Sequence, residues 1–395
     1  MISTFDSCGS LASSRMALLR LLVFCALAVC CVARSVPPKL PPALLLQPRN
    51  CNDSDVLAVA GFAMQNINAD RKDGYVLSLS RVHDAREHFQ EDMGSLFYLT
   101  LDVLETDCLV LSKKAWKDCN PRTLHESVYG QCKAMFHMNK PSRVLYLLAY
   151  NCTLRPVSRR QISNICPDCP GPIDLSDPKV MEAATESLAK FNRENPSKQY
   201  SVVKVTRATG QWVFGPAYFV DYLIKESPCT ESQASCSLQP SDSEPVGICH
   251  GSLSKNSLEK FVSVNCEFFE SKAQGSGGEN PAVSQESKKL PQKNADPTSS
   301  PSVTASRGSV QRLPDLDVEK PGDTKDVEGT KSPVEAFPVQ LDLTTNPQGD
   351  TVDVSFLYLG PEEKKLEVFP FPGEERRSAE CPGPAKGISP LILPP

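Results

Sequence analysis

Two quartets of cysteines constrain this chain more than any other feature. Cys108, Cys119, Cys132 and Cys152 come first, then Cys229, Cys236, Cys249 and Cys266, and the offset falls from 121 residues at the first pair to 114 at the last. Loop shortening in a second copy produces such a drift. What precedes each quartet recurs as well. Ser54 can cap a helix whose apolar stripe is Val56, Ala60, Ala63 and Ile67, at i, i+4, i+7 spacing. Tyr75, Leu77 and Leu79 then alternate as a strand, Phe97, Leu99, Leu101 and Val103 as another, and residues 144–150 run into Cys152. In the second copy Asp177-Pro178 opens a helix with Val180, Ala184, Leu188 and Phe191 as its stripe. Residues 200–206 match 75–81, and 218–225 match the strand before Cys108. The chain is therefore a tandem repeat of one helix followed by about four strands, an α+β fold. Each copy of about 100 residues buries one core by wrapping its sheet on its helix.

Segments outside the repeats place the protein in an oxidising compartment. The chain has 395 residues and sixteen cysteines, a density suited to extracellular proteins. Residues 1–33 read as a signal peptide ending at Cys31-Val32-Ala33, with residues 1–15 an upstream extension where Met16 is the start. The apolar run is too short to span a membrane. It contains or follows Cys8, Cys25, Cys30 and Cys31, which leaves twelve cysteines, an even number compatible with six bridges. Asn52-Asp53-Ser54 and Asn151-Cys152-Thr153 are N-glycosylation sequons. A net charge of −5 without a basic block excludes nucleic acid as the partner. The expected product is a secreted, extracellular glycoprotein.

A Pro/Leu-rich linker covers 34–50, the first domain 51–155, a linker 156–176, the second domain 177–270, and a Pro/Ser-rich region 271–395. Residues 271–350 hold one aromatic, Phe337, and no cysteine, so most of that stretch cannot offset its ordering entropy. Order is expected to return as strands at 352–359 and 366–371, around a Gly360-Pro361 turn. Cys381 needs a partner, and pairing within each repeat leaves Cys51 for it. Arg159-Arg160 reads as an accessible nicking site.

The inter-repeat linker carries Cys166-Pro167-Asp168-Cys169-Pro170. A bridge closing so short a loop contributes about 2 kcal/mol in the chain-entropy treatment, against about 5–6 for one closing some 330 residues. Shape is a better reason for it than stability. One reading is a clip between domains; another is a redox dithiol, which no βαβ pattern supports here. A third is a stiff tip presenting one carboxylate, Asp168.

One helix, an antiparallel sheet and two sequential disulfides together resemble the cystatin superfamily. The second copy adds Gln211-Trp212-Val213-Phe214-Gly215, similar to the Q-x-V-x-G hairpin with which cystatins block papain-like proteases. The first copy has Gln90-Glu91-Asp92-Met93-Gly94, with a carboxylate where that hairpin needs Val. Residues 137–143 and 250–259 lack the Trp of the second cystatin loop. Two such repeats, the C-P-D-C-P linker, a Pro-rich tail ending in a last cysteine, and the runs at 51–57 and 95–108 resemble the fetuins.

That resemblance implies the pairing Cys51–Cys381, Cys108–Cys119, Cys132–Cys152, Cys166–Cys169, Cys229–Cys236 and Cys249–Cys266. It implies inhibition of astacin-type zinc endopeptidases, and through it prevention of premature egg-coat (zona pellucida) hardening. Asp168 is then the candidate ligand, in trans, for the protease zinc. The hairpin 211–215 would contact the protease beside it, with Trp212 and Phe214 as apolar anchors. No catalytic motif is present and no cofactor is called for. Two alternatives belong to other classes: a cysteine-protease inhibitor acting through Gln211 to Gly215, and a calcium-phosphate carrier using Asp102, Glu105 and Asp107.

Overall fold

Asp53, one residue before the expected cap, starts the first helix: its carboxylate accepts the Asp55 backbone N–H at 3.2 Å. Adjacent Ser54 could have served, but the longer acidic side chain also reaches Arg49 at 2.8 Å. The computed structural model describes residues 46–227, 244–256, 259–269, 307–315, 317, 339–341, 343–344, 346–373 and 378–386. The expected signal peptide and the expected Cys229–Cys236 bridge lie outside these residues.

The first repeat opens on a two-residue strand β1 (Gln47–Pro48), inside the stretch expected as linker, and helix α1 (Ser54–Asp70). Four strands follow: β2 (Tyr75–Gln90), β3 (Gly94–Leu109), β4 (Val128–Asn139) and β5 (Val144–Pro156). Val56, Ala60, Ala63 and Ile67 are fully buried against Phe97, Leu99, Leu101 and Val103. At about 1.5–3 kcal/mol for each large apolar side chain, this face supplies the driving force that holds helix and sheet together.

Between the repeats lie helix α2 (Arg159–Ile165) and strand β6 (Gly171–Pro172). The second repeat has α3 (Pro178–Glu194), β7 (Tyr200–Trp212), β8 (Pro216–Glu226), β9 (Gly247–Lys255) and β10 (Lys260–Phe268). Asp177 caps α3, accepting from the Lys179 N–H at 2.8 Å, with Pro178 at the first position. Its sheet runs β10-β9-β8-β7-β6, antiparallel throughout.

The C-terminal region returns to the first repeat. Strand β11 (Gly308–Arg312) pairs parallel with β5, Val310 opposite Cys152, and completes a sheet of order β1-β2-β3-β4-β5-β11. Strands β12 (Asp350–Asp353) and β13 (Lys365–Val368) form an antiparallel pair, with Val352 opposite Leu366; both are shorter than expected, the first because the chain turns into a 3-10 helix at Ser355–Leu357. The segment around them lies on the outer face of the first sheet. The Tyr98 hydroxyl accepts the Phe369 N–H at 2.8 Å, Phe369 stacks 4.7 Å from His88, and His137 meets the Tyr358 hydroxyl at 2.8 Å. Both faces of this sheet are therefore buried, which explains why Leu96 and Tyr98 are as inaccessible as Leu99. A disulfide joins Cys51 to Cys381 with Cα atoms 5.2 Å apart.

This docking is expected to depend on pH. Burial lowers the pKa of His88 and of His137, outweighing the opposing pulls of Glu367 on His88 and of Ser95 on His137. Groups whose folded pKa is depressed contribute full stability above the unfolded imidazole value of about 6.5, and lose it as pH falls below that value. Hydrogen-exchange protection factors of the β12 and β13 amides should drop between pH 7.5 and 5.5. Unchanged protection would show that neither imidazole gates the docking.

Candidate functional site

The Cys166 loop is built as a capped tip. Ser158 caps α2 by accepting the Gln161 N–H at 3.2 Å, and the helix ends when Cys166 N–H donates to the Ile162 carbonyl at 2.7 Å. The chain then turns on itself: Cys169 N–H donates to the Cys166 carbonyl at 3.2 Å, and the Cys166–Cys169 disulfide closes the turn with Cα atoms 5.3 Å apart. Pro167 and Asp168 are exposed at the apex, while Cys166, Cys169 and Pro170 are half-buried behind them. Arg159 and Arg160, expected as a nicking site, instead begin α2. Arg159 pairs with Asp315 at 3.4 Å, and the Arg160 N–H donates to Asp317 at 2.8 Å, which removes the extended backbone a protease requires.

After the tip, β6 adds as an edge strand to β7, Gly171 opposite Gly210 and Pro172 opposite Thr209. Ile173 N–H donates to the Ala208 carbonyl at 3.1 Å. These bonds carry the tip to the end of the second sheet where β7 turns into β8. Gln211 completes the link, since its side-chain amide donates to the backbone carbonyl of Asp168. Sequence alone does not reveal that contact, because its acceptor is main chain and carries no residue signature.

The β7–β8 turn projects Trp212, Val213 and Phe214, which are 76%, 42% and 94% exposed. Large apolar side chains left this bare at one hairpin tip mark a contact surface. Gly215 sits at φ +121°, and a Cβ on it would meet the Lys255 carbonyl oxygen at 2.3 Å. The turn is thus pressed against the end of β9, where the second loop begins. Lys255 is held in turn by Glu182 of α3 at 2.6 Å. Hydrogen bonds from Lys255 and then Lys179 push the Glu182 pKa down to about 2. Tip, hairpin and the start of the second loop therefore converge on one edge of the second repeat. The loop's centre, at 257–258, lies outside the described residues.

The corresponding turn of the first repeat is occupied. Gln90 exchanges hydrogen bonds with the Glu367 backbone at 2.7 and 2.8 Å, and Asn139 donates to the Asp92 and Met93 carbonyls at 3.2 and 3.0 Å. Met93 is buried. This turn is a docking point for the protein's own tail.

The remaining expected sites fall as follows. Disulfides Cys108–Cys119, Cys132–Cys152 and Cys249–Cys266 are present, the last two linking directly opposed strand residues. Asn52 is exposed, whereas half-buried Asn151 has its side-chain amide on the Gln340 carbonyl beside β11. The acidic face expected of a mineral carrier is not presented. Asp102 is buried, bonded to Arg81 at 2.6 Å, His83 at 3.2 Å and Gln131 at 3.0 Å; burial opposes its ionisation, but these partners hold its carboxyl below the usual range. Glu105 is fully buried between Arg122 and Arg312. Asp107 alone of the three is exposed, too little to match a calcium phosphate lattice.

The Cystatin domain family matches residues 45–140 and 169–257, one match for each repeat. Fetuin-B of Mus musculus is 71% identical over 392 residues, 96% of this chain and all of the relative. Mouse fetuin-B in complex with crayfish astacin is 60% identical, covers 90% of this chain and 99% of that one, and superposes with a TM-score of 0.69. The inhibitory complex of human meprin beta with mouse fetuin-B gives 62% identity, coverage of 89% and 100%, and a TM-score of 0.71. With identity sustained across both repeats and the C-terminal region, this chain belongs to the fetuin-B family.

Proposed function

We infer that the protein is a secreted inhibitor of astacin-type zinc endopeptidases and that Asp168 is the residue offered to the protease zinc. The observation that carries this reading is the exposed Asp168 carboxylate at the apex of a disulfide-closed, proline-flanked turn anchored to the sheet edge. A catalytic zinc keeps an open coordination position for water, and a carboxylate oxygen binds zinc at about 2.0–2.2 Å. A narrow tip can take that position, and its fixed backbone loses little freedom on binding. The closed turn also resists the extended conformation needed for cleavage. Trp212 and Phe214 would fill neighbouring apolar subsites. Relatives solved with astacin and with meprin beta support the protease class. In the egg, the corresponding target would be the protease that hardens the zona pellucida; adding the protein to maturing oocytes should keep the coat digestible.

Titration of the mature protein against purified proteases tests the class. Stoichiometric inhibition of astacin and meprin beta is expected, with at most weak inhibition of papain. The hairpin sequence that papain recognises is intact, but the second loop has no Trp and Trp212 is bulky. Nanomolar inhibition of papain with no effect on astacin would assign the surface to cysteine proteases.

A further inference from the structure

A cavity of about 950 Å³ opens on the first repeat, between α1 and the segment that follows β3, and no residue of the Cys166 tip lines it. Leu57, Phe62, Leu79, Val110 and Trp116 line its floor. Leu57 and Phe62 are 39% and 40% exposed, on a helix whose opposite stripe is fully buried. Gly61, in the middle of α1, leaves the groove open: a Cβ placed there would find only the Trp116 ring, at 3.9 Å. Glycine in a helix interior costs about 0.5–1 kcal/mol relative to alanine, so the opening is maintained against local propensity.

The rim is cationic. Lys113, Lys114, Lys117 and Lys386 all border the cavity, brought from two distant parts of the chain. Lys114 is engaged by Glu267 at 2.8 Å. Lys117 and Lys386 instead hold their ammonium groups 5.6 and 5.2 Å from the Trp116 ring centroid. Among the described residues, Lys113, Lys117 and Lys386 have no carboxylate partner.

We propose that this groove binds a single-chain anionic amphiphile, with the acyl chain on the apolar floor and the head group among Lys113, Lys117 and Lys386. An acidic peptide fits less well, because its backbone N–H and C=O groups would lie on a floor of Leu, Phe, Val and Trp with few partners. An acyl chain carries no such groups, and its single charge meets the lysines at the mouth. The volume lies within the range of small-ligand sites.

Calorimetric titration of the mature protein with oleate and with oleoyl lysophosphatidate tests this, and tells a fatty acid from a lysophospholipid as the preferred head. One site is expected, with a Kd on the order of 10 μM or tighter. Methyl oleate, which lacks the charge, should bind at least about tenfold more weakly. Gly61→Leu places a side chain in the groove while improving helix propensity, and should abolish binding. The surface variant Lys113→Glu/Lys117→Glu/Lys386→Glu should weaken it at least about tenfold without disturbing the core. Binding unchanged in either folded variant, or absent from the wild type for both amphiphiles, overturns the proposal.

Discussion

Asp168→Asn is expected to weaken inhibition of an astacin-type protease by at least about tenfold while leaving the fold unchanged. The substitution keeps the side-chain shape and removes the charge. A charge-assisted hydrogen bond is worth about 1.5–3 kcal/mol, and a carboxylate–zinc bond should exceed it; each 1.4 kcal/mol is a factor of ten. Gln211 grips the Asp168 backbone carbonyl rather than its carboxylate. The tip therefore stays attached to the hairpin in the variant, and any loss reports on the carboxylate alone. Cys166→Ser/Cys169→Ser provides the complementary test: the charge remains but the turn is released. It should weaken inhibition too, and should make the segment cleavable by the target protease. Equal inhibition by wild type and a folded Asp168→Asn, checked by circular dichroism, would leave the loop as a clip and move the inhibitory surface to Trp212 and Phe214.

Cys51→Ser/Cys381→Ser should have the largest effect on stability. The bond spans 330 residues, and closing a loop that long is worth up to about 5–6 kcal/mol in the chain-entropy treatment, with 2–5 kcal/mol typical when native disulfides are removed. Its native-state partners are substantial: Val354, Leu366 and Val368 are fully buried and Phe369 nearly so. Freed at its end, the segment would dock less often and leave Leu96 and Tyr98 open. Denaturant unfolding should show the first repeat losing stability while the second is spared, and limited proteolysis should cut within 350–386. Inhibition at low temperature should persist, because the Asp168 tip is bonded to the second sheet. Wild-type stability together with wild-type protease resistance would show that the non-covalent contacts suffice.

The repeat was legible because its markers are spaced covalently and periodically. Cysteine order, an Asp-Pro helix start and an i, i+4, i+7 stripe all describe local structure, and both helices form where the stripes lie. The exposed tip was legible because proline and a short cysteine spacing limit what a loop can do. Docking of the C-terminal region was harder, since β11 pairs by backbone and its five residues carry no periodic signal. A clue existed in Leu96-Phe97-Tyr98-Leu99, where the alternation of a one-faced strand gives way to a continuous apolar run. Such a run marks a sheet covered on both sides. Asp102 and Glu105 misled for a related reason: acidic letters suggest a charged surface, but half-buried arginines from other segments neutralise them.

The return of β11 and Cys381 to the first repeat has a consequence for biosynthesis. Both lie far downstream of β5, so the repeat translated first is the last to be completed. At about 5–20 residues per second, the ribosome needs roughly 10–45 s to deliver Cys381 after β5 has emerged. Cys51 waits as a thiol throughout that interval, and the β5 edge stays unpaired for roughly the first 8–31 s of it, until β11 emerges, while the second repeat can already close its own sheet. A nascent chain stalled before residue 308 should therefore carry a finished second repeat behind an unfinished first one, with Cys51 open to disulfide exchange.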